Sequence, residues 1–149
     1  MSTITVRQAL LSDLDALVPL VDGYRQFYGR EGDASAAREF LLARFDHSES
    51  IIFIAFDGER AVGFTQLYPS FSTVSLARTF ILNDLFVDQP GRRKGVGGKL
   101  LSAAINYAKD LGAIRLTLST ATTNEAAQAL YQAAGWVRDD KFFVYHFAV

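Results

Sequence analysis

The stretch "VDQPGRRKGVGGKLL", residues 87–101, sets three consecutive cationic side chains among four glycines, between an apolar run and a helical pattern. Glycine lets the main chain approach a ligand and adopt positive φ, and the first N–H groups of a helix have no partner inside it. The helix dipole adds positive charge there, and Arg92, Arg93 and Lys94 add more. The turn predicts a phosphate site that would fit a nucleoside-linked pyrophosphate; the alternative is a glycine-rich helix start with solvated basic side chains.

Two better-known phosphate loops do not fit this stretch. A Walker A loop needs glycine where Arg93 stands and serine or threonine where Leu100 stands. A dinucleotide-binding G-x-G-x-x-G turn could begin at Gly95, but it also meets Leu100 at its third glycine. The R-x-x-G-x-G turn from Arg92 to Gly97 is what remains.

The composition limits the function further. The 149 residues include 15 Lys and Arg and 16 Asp and Glu, and the resulting net charge of −1 argues against general nucleic-acid binding. Cysteine is absent, which excludes disulfides, thiolate nucleophiles and cysteine metal ligands. The histidines, His47 and His146, have no partner at metal-ligand spacing, so no metal is expected. Without a signal-peptide core or an apolar run of ~20 residues, we expect one cytoplasmic domain over 1–149 and no membrane association.

Hydrophobic periodicity predicts the element order β, α, α, β, β, β, α, β, α, β. The strands fall at 3–8, 50–56, 61–71, 78–87, 114–120 and 141–149, and the helices begin near 12, 36, 96 and 124. Asp57 and Gly58 mark a tight hairpin, Pro19 should kink or interrupt the first helix, and Pro69 should end or bulge its strand. Antiparallel hairpins followed by two strand–helix units indicate a mixed α/β (α+β) sheet rather than a doubly wound parallel one.

A second pattern lies in "NEAAQALYQAAGW", residues 124–136. On a helix, Asn124, Ala127 and Tyr131 share one stripe, with the amide and the phenol about 10 Å apart along the axis. Such a stripe suits a long thin ligand. The alternative is that Tyr131 is an amphipathic core residue with its hydroxyl at the rim.

The run "LNDLFV" (82–87), the R-x-x-G-x-G turn and N-x-x-A-x-x-L-Y-x-x-x-G-W together resemble the signature motifs of the GNAT superfamily of acetyl-CoA-dependent N-acetyltransferases. The element order extends the resemblance over the whole chain. It implies a GNAT-type mixed, mostly antiparallel central sheet of six to seven strands flanked by about four helices. It also implies acetyl transfer from acetyl-CoA to a primary amine by direct attack in a ternary complex, which fits a chain without cysteine.

The resemblance also implies where acetyl-CoA would bind. A main-chain N–H of the strand before the turn would stabilise the tetrahedral oxyanion. The pyrophosphate would lie on the turn, and the pantetheine arm would lie along that strand and the later helix. The residues concerned are Arg92, Arg93, Lys94, Gly95, Val96, Gly97 and Gly98 for the turn, Leu85, Phe86 and Val87 for the strand, and Asn124, Ala127 and Tyr131 for the helix.

Two residues are candidates for proton transfer. Tyr131 is implied as the general acid for the departing thiolate, since a phenol of pKa ~10 suits a thiol of similar acidity. Asp84 is the candidate general base, although it could also act through water or only hold the first helices. Strand alternation sends Asn83 and Asp84 to opposite faces, and Asn83 stands where some relatives carry glutamate.

The acceptor amine is expected against "DGYRQFYGRE", residues 22–31, because the early helices cover the acceptor side in this superfamily. An acidic, aromatic wall would suit a cationic amine, whereas Arg25 and Arg30 would hold a carboxylate instead. Packing of the aromatic face on the sheet is the alternative, so polyamines, amino acids, aminoglycosides and protein amines all stay open. The candidate wall residues are Asp22, Tyr24, Phe27, Tyr28, Glu31 and, from the strand at 78–87, Asn83.

Two other functions remain possible from the sequence. A non-catalytic acyl-CoA-binding regulatory module would use the same cleft, and a nucleic-acid-associated domain would need a wider basic face than Arg92–Lys94 provides. We expect a small-molecule or peptide amine as substrate and no nucleic acid. A homodimer is possible, because the last predicted strand is apolar on both faces and could leave an exposed edge.

Overall fold

The structure is a computed structural model that describes residues 3–149, and the chain forms two compact units, the first ending at Ser119 and the second spanning Thr120–Val149. The first unit holds five strands and three helices. The strands are β1 (Ile4–Gln8), β2 (Ile51–Asp57), β3 (Arg60–Ser72), β4 (Ala77–Val87) and β5 (Leu116–Thr117), and the helices are α1 (Leu14–Phe27), α2 (Ala34–Asp46) and α3 (Val96–Asp110). The second unit holds α4 (Glu125–Ala133). The expectation of a single domain stays a prediction.

The sheet runs in the order β1-β2-β3-β4-β5, with β4 and β5 parallel and the other pairs antiparallel. The Asp57-Gly58 hairpin is confirmed, with Gly58 at φ 61° joining β2 to β3. The mixed, mostly antiparallel GNAT fold is confirmed too, but the sheet of the described residues has five strands instead of six to seven. The strand predicted at 114–120 is reduced to two residues, because β5 pairs with β4 only through Leu116 and Thr117.

Helices α1 and α2 build the core on one side of the sheet. The buried face of α1 carries leucine and valine at helical spacing, and Leu41 of α2 packs with it against Ile54 and Phe64. Pro19 lies inside α1 without interrupting it, so the expected interruption was wrong, while the kink stays a prediction. The packed apolar face outweighs the ~3 kcal/mol that an interior proline costs a helix. Helix α3 buries a second stripe of apolar residues: Val96, Leu100, Leu101, Ala104 and Ala108.

A bulge interrupts the pairing of β3 with β4. Gln66 pairs with Asp84 and Leu67 with Leu82, so Asn83 has no partner across the ladder. Pro69 neither ends nor bulges β3 but pairs in register with Phe80, so this expectation was also wrong. A proline removes a single ladder hydrogen bond, and the pairs on either side keep the strand in place.

In the second unit, α4 begins after Asn124 and ends before Gly135, which has φ 93°. Residues 137–149 have no regular secondary structure and are exposed, so the strand predicted at 141–149 was wrong. An apolar pattern gives a segment strand propensity, but a strand forms only when a partner completes its hydrogen bonds. No helix within residues 3–149 is both long enough and apolar enough to cross a membrane.

Candidate active site

A cavity of about 340 Å³ opens between α1, α2 and the bulged part of β3 and β4. Six polar side chains line the cavity, and α1, β3 and the bulge of β4 each contribute two of them. These six are Tyr24, Arg25, Gln66, Tyr68, Asn83 and Asp84. The rest of the wall is apolar and includes Phe40 and Phe64. A small cavity with a few converging polar groups is the usual form of a small-molecule site.

Asp84 is the buried carboxylate of this cavity, with 8% of its surface exposed. Gln66 Nε2 donates to Asp84 Oδ2 at 2.8 Å, and Asn83 Nδ2 donates to Asp84 Oδ1 at 3.0 Å. Burial raises the pKa of Asp84 above its ordinary value of 3.8, while the hydrogen bonds from Gln66, Asn83 and Tyr24 oppose that rise. A carboxylate with a raised pKa is a stronger base than an exposed one, which suits it to accept a proton.

The two tyrosines of the cavity stay protonated at neutral pH. Burial, with the nearby Asp84 charge, raises the pKa of Tyr24 far above its ordinary value, and the same causes raise the pKa of Tyr68 to about 12. Tyr24 also donates its hydroxyl to the main-chain oxygen of Asn83 at 3.4 Å. Both phenols are therefore hydrogen-bond donors around the carboxylate.

The bulge corrects one expectation from the sequence. Asn83 and Asp84 do not lie on opposite faces, since both line the cavity and their side chains are hydrogen-bonded to each other. An extra residue on one strand breaks the period of two, and this re-aims the neighbouring side chains. Of the predicted acceptor wall, Tyr24 and Asn83 line the cavity, whereas Phe27 and Tyr28 are exposed outside its lining, and their role stays a prediction.

Sequence reasoning missed Gln66 and Tyr68. Both lie on β3, and Gln66 is 97% buried, with 3% of its surface exposed. Nothing local marks a glutamine or tyrosine in a strand as part of a site. The signal in the sequence is polarity: Gln66, with Thr65 before it, is polar within the mainly apolar run "AVGFTQLY".

The glycine turn follows β4 and starts α3. Gly95 is the N-cap at φ 76° and provides no side chain to cap the helix, so the first N–H groups of α3 point out unpaired. A Cβ on Gly95 or Gly98 would meet no atom within 4 Å, so the main chain there is open to a ligand. Gly91 differs, because a Cβ there would lie 2.8 Å from Val62 Cβ. It is a packing glycine.

The three cations of the turn have different partners. Arg92 Nε donates to the main-chain oxygen of Val87 at 3.2 Å, and Lys94 Nζ pairs with Asp57 Oδ2 at 2.8 Å. The Lys94 hydrogen bond is the main cause that lowers the pKa of Asp57. Arg93 is exposed at φ 63°, and no carboxylate of residues 3–149 pairs with it. Arg93 is thus the cation of the turn most available to an anion.

The edge of β4 leads directly into this turn. Its pairs with β5 are Phe80 with Leu116 and Ile81 with Thr117. Among the described strands, none pairs with this edge from Leu82 onward, so Leu85–Val87 has no strand partner on that side. On the other side, Gly63 brings β3 close, since a Cβ there would lie 2.8 Å from the Phe86 oxygen. An extended ligand could add to the free edge as a strand does.

In the second unit, Asn124 and Tyr131 belong to α4. Asn124 is its N-cap, and Asn124 Oδ1 accepts from the Ala127 N–H at 3.1 Å. Asn124 therefore precedes the helix and does not share a helical face with Ala127 and Tyr131. Its side-chain amide nitrogen can still donate a hydrogen bond. The Tyr131 ring lies 6.1 Å from the Trp136 ring.

Known proteins share this fold and these motifs. The Acetyltransferase (GNAT) family matches residues 17–136. The uncharacterized N-acetyltransferase YhfO of Bacillus subtilis (strain 168) is 49% identical over 94% of both chains, and a probable acetyltransferase of Haemophilus influenzae is 34% identical over 80% of this chain and 78% of that one. A crystal structure of a probable acetyltransferase superposes with a TM-score of 0.92 at 41% identity, over 97% of each chain. The fold and the turn define an acetyltransferase of the GNAT type. The chain belongs to the GNAT acetyltransferase family.

Proposed function

We propose that this acetyltransferase moves the acetyl group of acetyl-CoA to a primary amine that binds in the cavity at Asp84. The observation that carries the proposal is a buried carboxylate with a raised pKa, which lies on β4 directly before Leu85–Val87 of the unpaired edge. An amine is protonated in water, so it must lose a proton before it attacks a thioester. Asp84 is suited to take that proton.

The residues of the first unit fit the cofactor. The uncapped N–H groups from Arg93 to Gly98 and the Arg93 guanidinium suit a pyrophosphate. The free edge at Leu85–Val87 suits the amide-bearing pantetheine arm. The acetyl thioester supplies the electrophilic carbonyl. Asn124, Ala127 and Tyr131 are assigned to the same cofactor on the sequence motif alone.

The reaction then needs no covalent enzyme intermediate. Asp84 takes a proton from the ammonium, the neutral nitrogen attacks the carbonyl carbon, and a main-chain N–H of Leu85–Val87 stabilises the oxyanion. The C–N bond forms, the C–S bond breaks, and Tyr131 protonates the leaving thiolate. The remaining extra proton on the nitrogen leaves to solvent, and solvent returns a proton to the Tyr131 phenolate, so that the neutral amide and the free thiol are the products. The support for Tyr131 is its place in the motif.

Thiol release from acetyl-CoA tests this proposal, with a panel of polyamines, amino acids, aminoglycosides and peptides as acceptors. We expect Asp84→Asn and Tyr131→Phe each to lower turnover about 100-fold or more, which is the usual range for a positioned acid or base. Calorimetry should find coenzyme A affinity nearly unchanged in both variants, because neither carboxylate nor phenol proton is needed to bind it.

Two matched variants control the experiment. Asp15→Asn removes an exposed carboxylate paired with Arg38, and Tyr145→Phe removes an exposed phenol. Both should keep full activity. If the protein binds coenzyme A and yet releases no thiol with any acceptor, it is a non-catalytic acyl-CoA-binding module. Equal turnover in Asp84→Asn would remove that residue as base. The homodimer, the cytoplasmic location and the absence of a metal stay predictions.

A further inference from the structure

The cavity at Asp84 contains two side chains of opposite charge, and neither has a charged partner. Asp84 is hydrogen-bonded to neutral groups, the amides of Gln66 and Asn83 and the hydroxyl of Tyr24. Arg25 lines the same cavity, and its Nη1 donates to the main-chain oxygen of Glu31 at 3.5 Å. No carboxylate within residues 3–149 pairs with the Arg25 guanidinium.

Four other arginines of the first unit are paired with carboxylates: Arg7 with Asp13, Arg38 with Asp15, Arg44 with Glu49 and Arg60 with Asp88. Arg25 is the arginine without such a pair that lines the cavity. A partly buried guanidinium is weakly solvated and favours a planar, two-pronged anion such as a carboxylate. In Arg25 this group faces a cavity whose remaining lining is neutral apart from Asp84.

We propose that the acceptor is a small amino acid, a molecule that carries an ammonium and a carboxylate together. Its ammonium lies beside Asp84, and its carboxylate binds Arg25. This inference rests on the proposed acetyl transfer and names the substrate class of that site. The two opposite charges of the substrate match the two uncompensated charges of the cavity, while Phe40 and Phe64 provide an apolar wall for a side chain.

The other acceptor classes match the cavity less well. A polyamine or an aminoglycoside would bring a second cation toward Arg25, where like charges repel. A lysine within a protein has no free carboxylate to offer. The cavity volume of about 340 Å³ also lies at the small end of the range for ligand pockets, about 300–1,000 Å³.

Matched pairs of acceptors test the proposal in the thiol-release assay. Each pair is an amino acid and the amine left after its carboxylate is removed, such as phenylalanine with phenethylamine and lysine with cadaverine, together with β- and γ-amino acids to vary the charge spacing. We expect the amino acid of at least one pair to exceed its amine by about 10-fold or more in kcat/KM, mostly through KM. In Arg25→Gln this preference should disappear while the amines keep their rate.

Two further variants separate charge from folding. Arg25→Lys keeps the charge and should keep part of the preference, and Arg115→Gln removes an exposed arginine outside the cavity lining and should change nothing. Amines that react as well as their amino acids overturn the inference, and so does an Arg25→Gln variant that loses both members of a pair equally. If no acceptor releases thiol, the proposed acetyl transfer fails as well, and this result differs from activity without a carboxylate preference.

Discussion

The cavity at Asp84 and the glycine turn present opposite kinds of chemistry to their proposed ligands. The cavity uses buried side chains whose protonation is set by burial, as the raised pKa of Asp84 shows. The turn uses exposed main chain, where Gly95 at φ 76° leaves helix N–H groups free. In the proposed reaction the cavity controls a proton, and the turn holds the pyrophosphate.

This difference decides how each region responds to substitution. A change in the cavity alters the solvation and hydrogen bonds of a carboxylate, so its effect depends on pH. A change in the turn alters the space above the main chain, so its effect falls on coenzyme affinity at every pH. Substitutions in the two regions should therefore be separable in one set of measurements.

Among the substitutions that separate the two regions, the largest effect on coenzyme binding is expected at Gly98. A Cβ there meets no atom of the protein within 4 Å, and alanine is the better helix former by about 1 kcal/mol, so Gly98→Ala should unfold at the same temperature or slightly higher. The methyl group would occupy space above the N–H groups and should weaken coenzyme A binding about 10-fold, or about 1.4 kcal/mol. Calorimetry and thermal unfolding measure the two effects.

Ser102→Ala is the control for Gly98→Ala, since it changes an exposed residue about one turn further along α3. Its coenzyme affinity should match the unchanged protein. If Gly98→Ala also binds coenzyme A with full affinity, the turn does not hold the pyrophosphate.

The glycine turn could be predicted from the sequence because its function depends on residue type at each position. Glycine adopts φ 76° without strain, so the residue type at Gly95 already indicates this backbone conformation. The hairpin at Gly58 was predicted for the same reason. Strong helical periodicity placed the four helices, and the GNAT fold followed from the motifs and the element order.

The acceptor cavity could not be predicted in the same way. It depends on the bulge that leaves Asn83 unpaired, and a bulge is a property of two strands in register, not of one. Gln66 is 18 residues from the Asp84 carboxylate that it contacts. The prediction of a strand at 141–149 was wrong for a related reason, because the β-propensity of a segment does not provide a neighbouring strand to pair with.

A smaller effect should appear in the pH dependence of Gln66→Leu. As the proposed base, Asp84 acts in its ionised form, so kcat/KM should fall as the pH drops through the raised pKa of that carboxyl. The Gln66 hydrogen bond lowers this pKa, and leucine removes it while nearly preserving the volume. The acid limb of the pH–rate profile should therefore move to higher pH, with Tyr24, Tyr68 and Asn83 unchanged around it.

Gln26→Leu provides the comparison for Gln66→Leu. It removes an exposed amide that contacts Asp22 at 3.2 Å, outside the cavity lining, and should leave the acid limb in place. A limb that stays fixed in Gln66→Leu, or that moves to lower pH, would show that Asp84 does not control it.

The smallest effect concerns stability. Because folding raises the pKa of Asp84, the folded state binds its proton more tightly, and stability declines as the pH rises from about 3.8 through the raised value. Asp84→Asn removes this pH-dependent penalty. At pH 7 the variant should unfold about 2–4 °C higher than the unchanged protein, the shift that ~1 kcal/mol gives a chain of this size. Thermal unfolding across pH 3 to 8 measures it, and the difference should shrink below pH 3.8. A constant difference at every pH would mean that asparagine acts through packing, and a variant less stable at pH 7 would mean that the carboxylate of the cavity is favourably solvated.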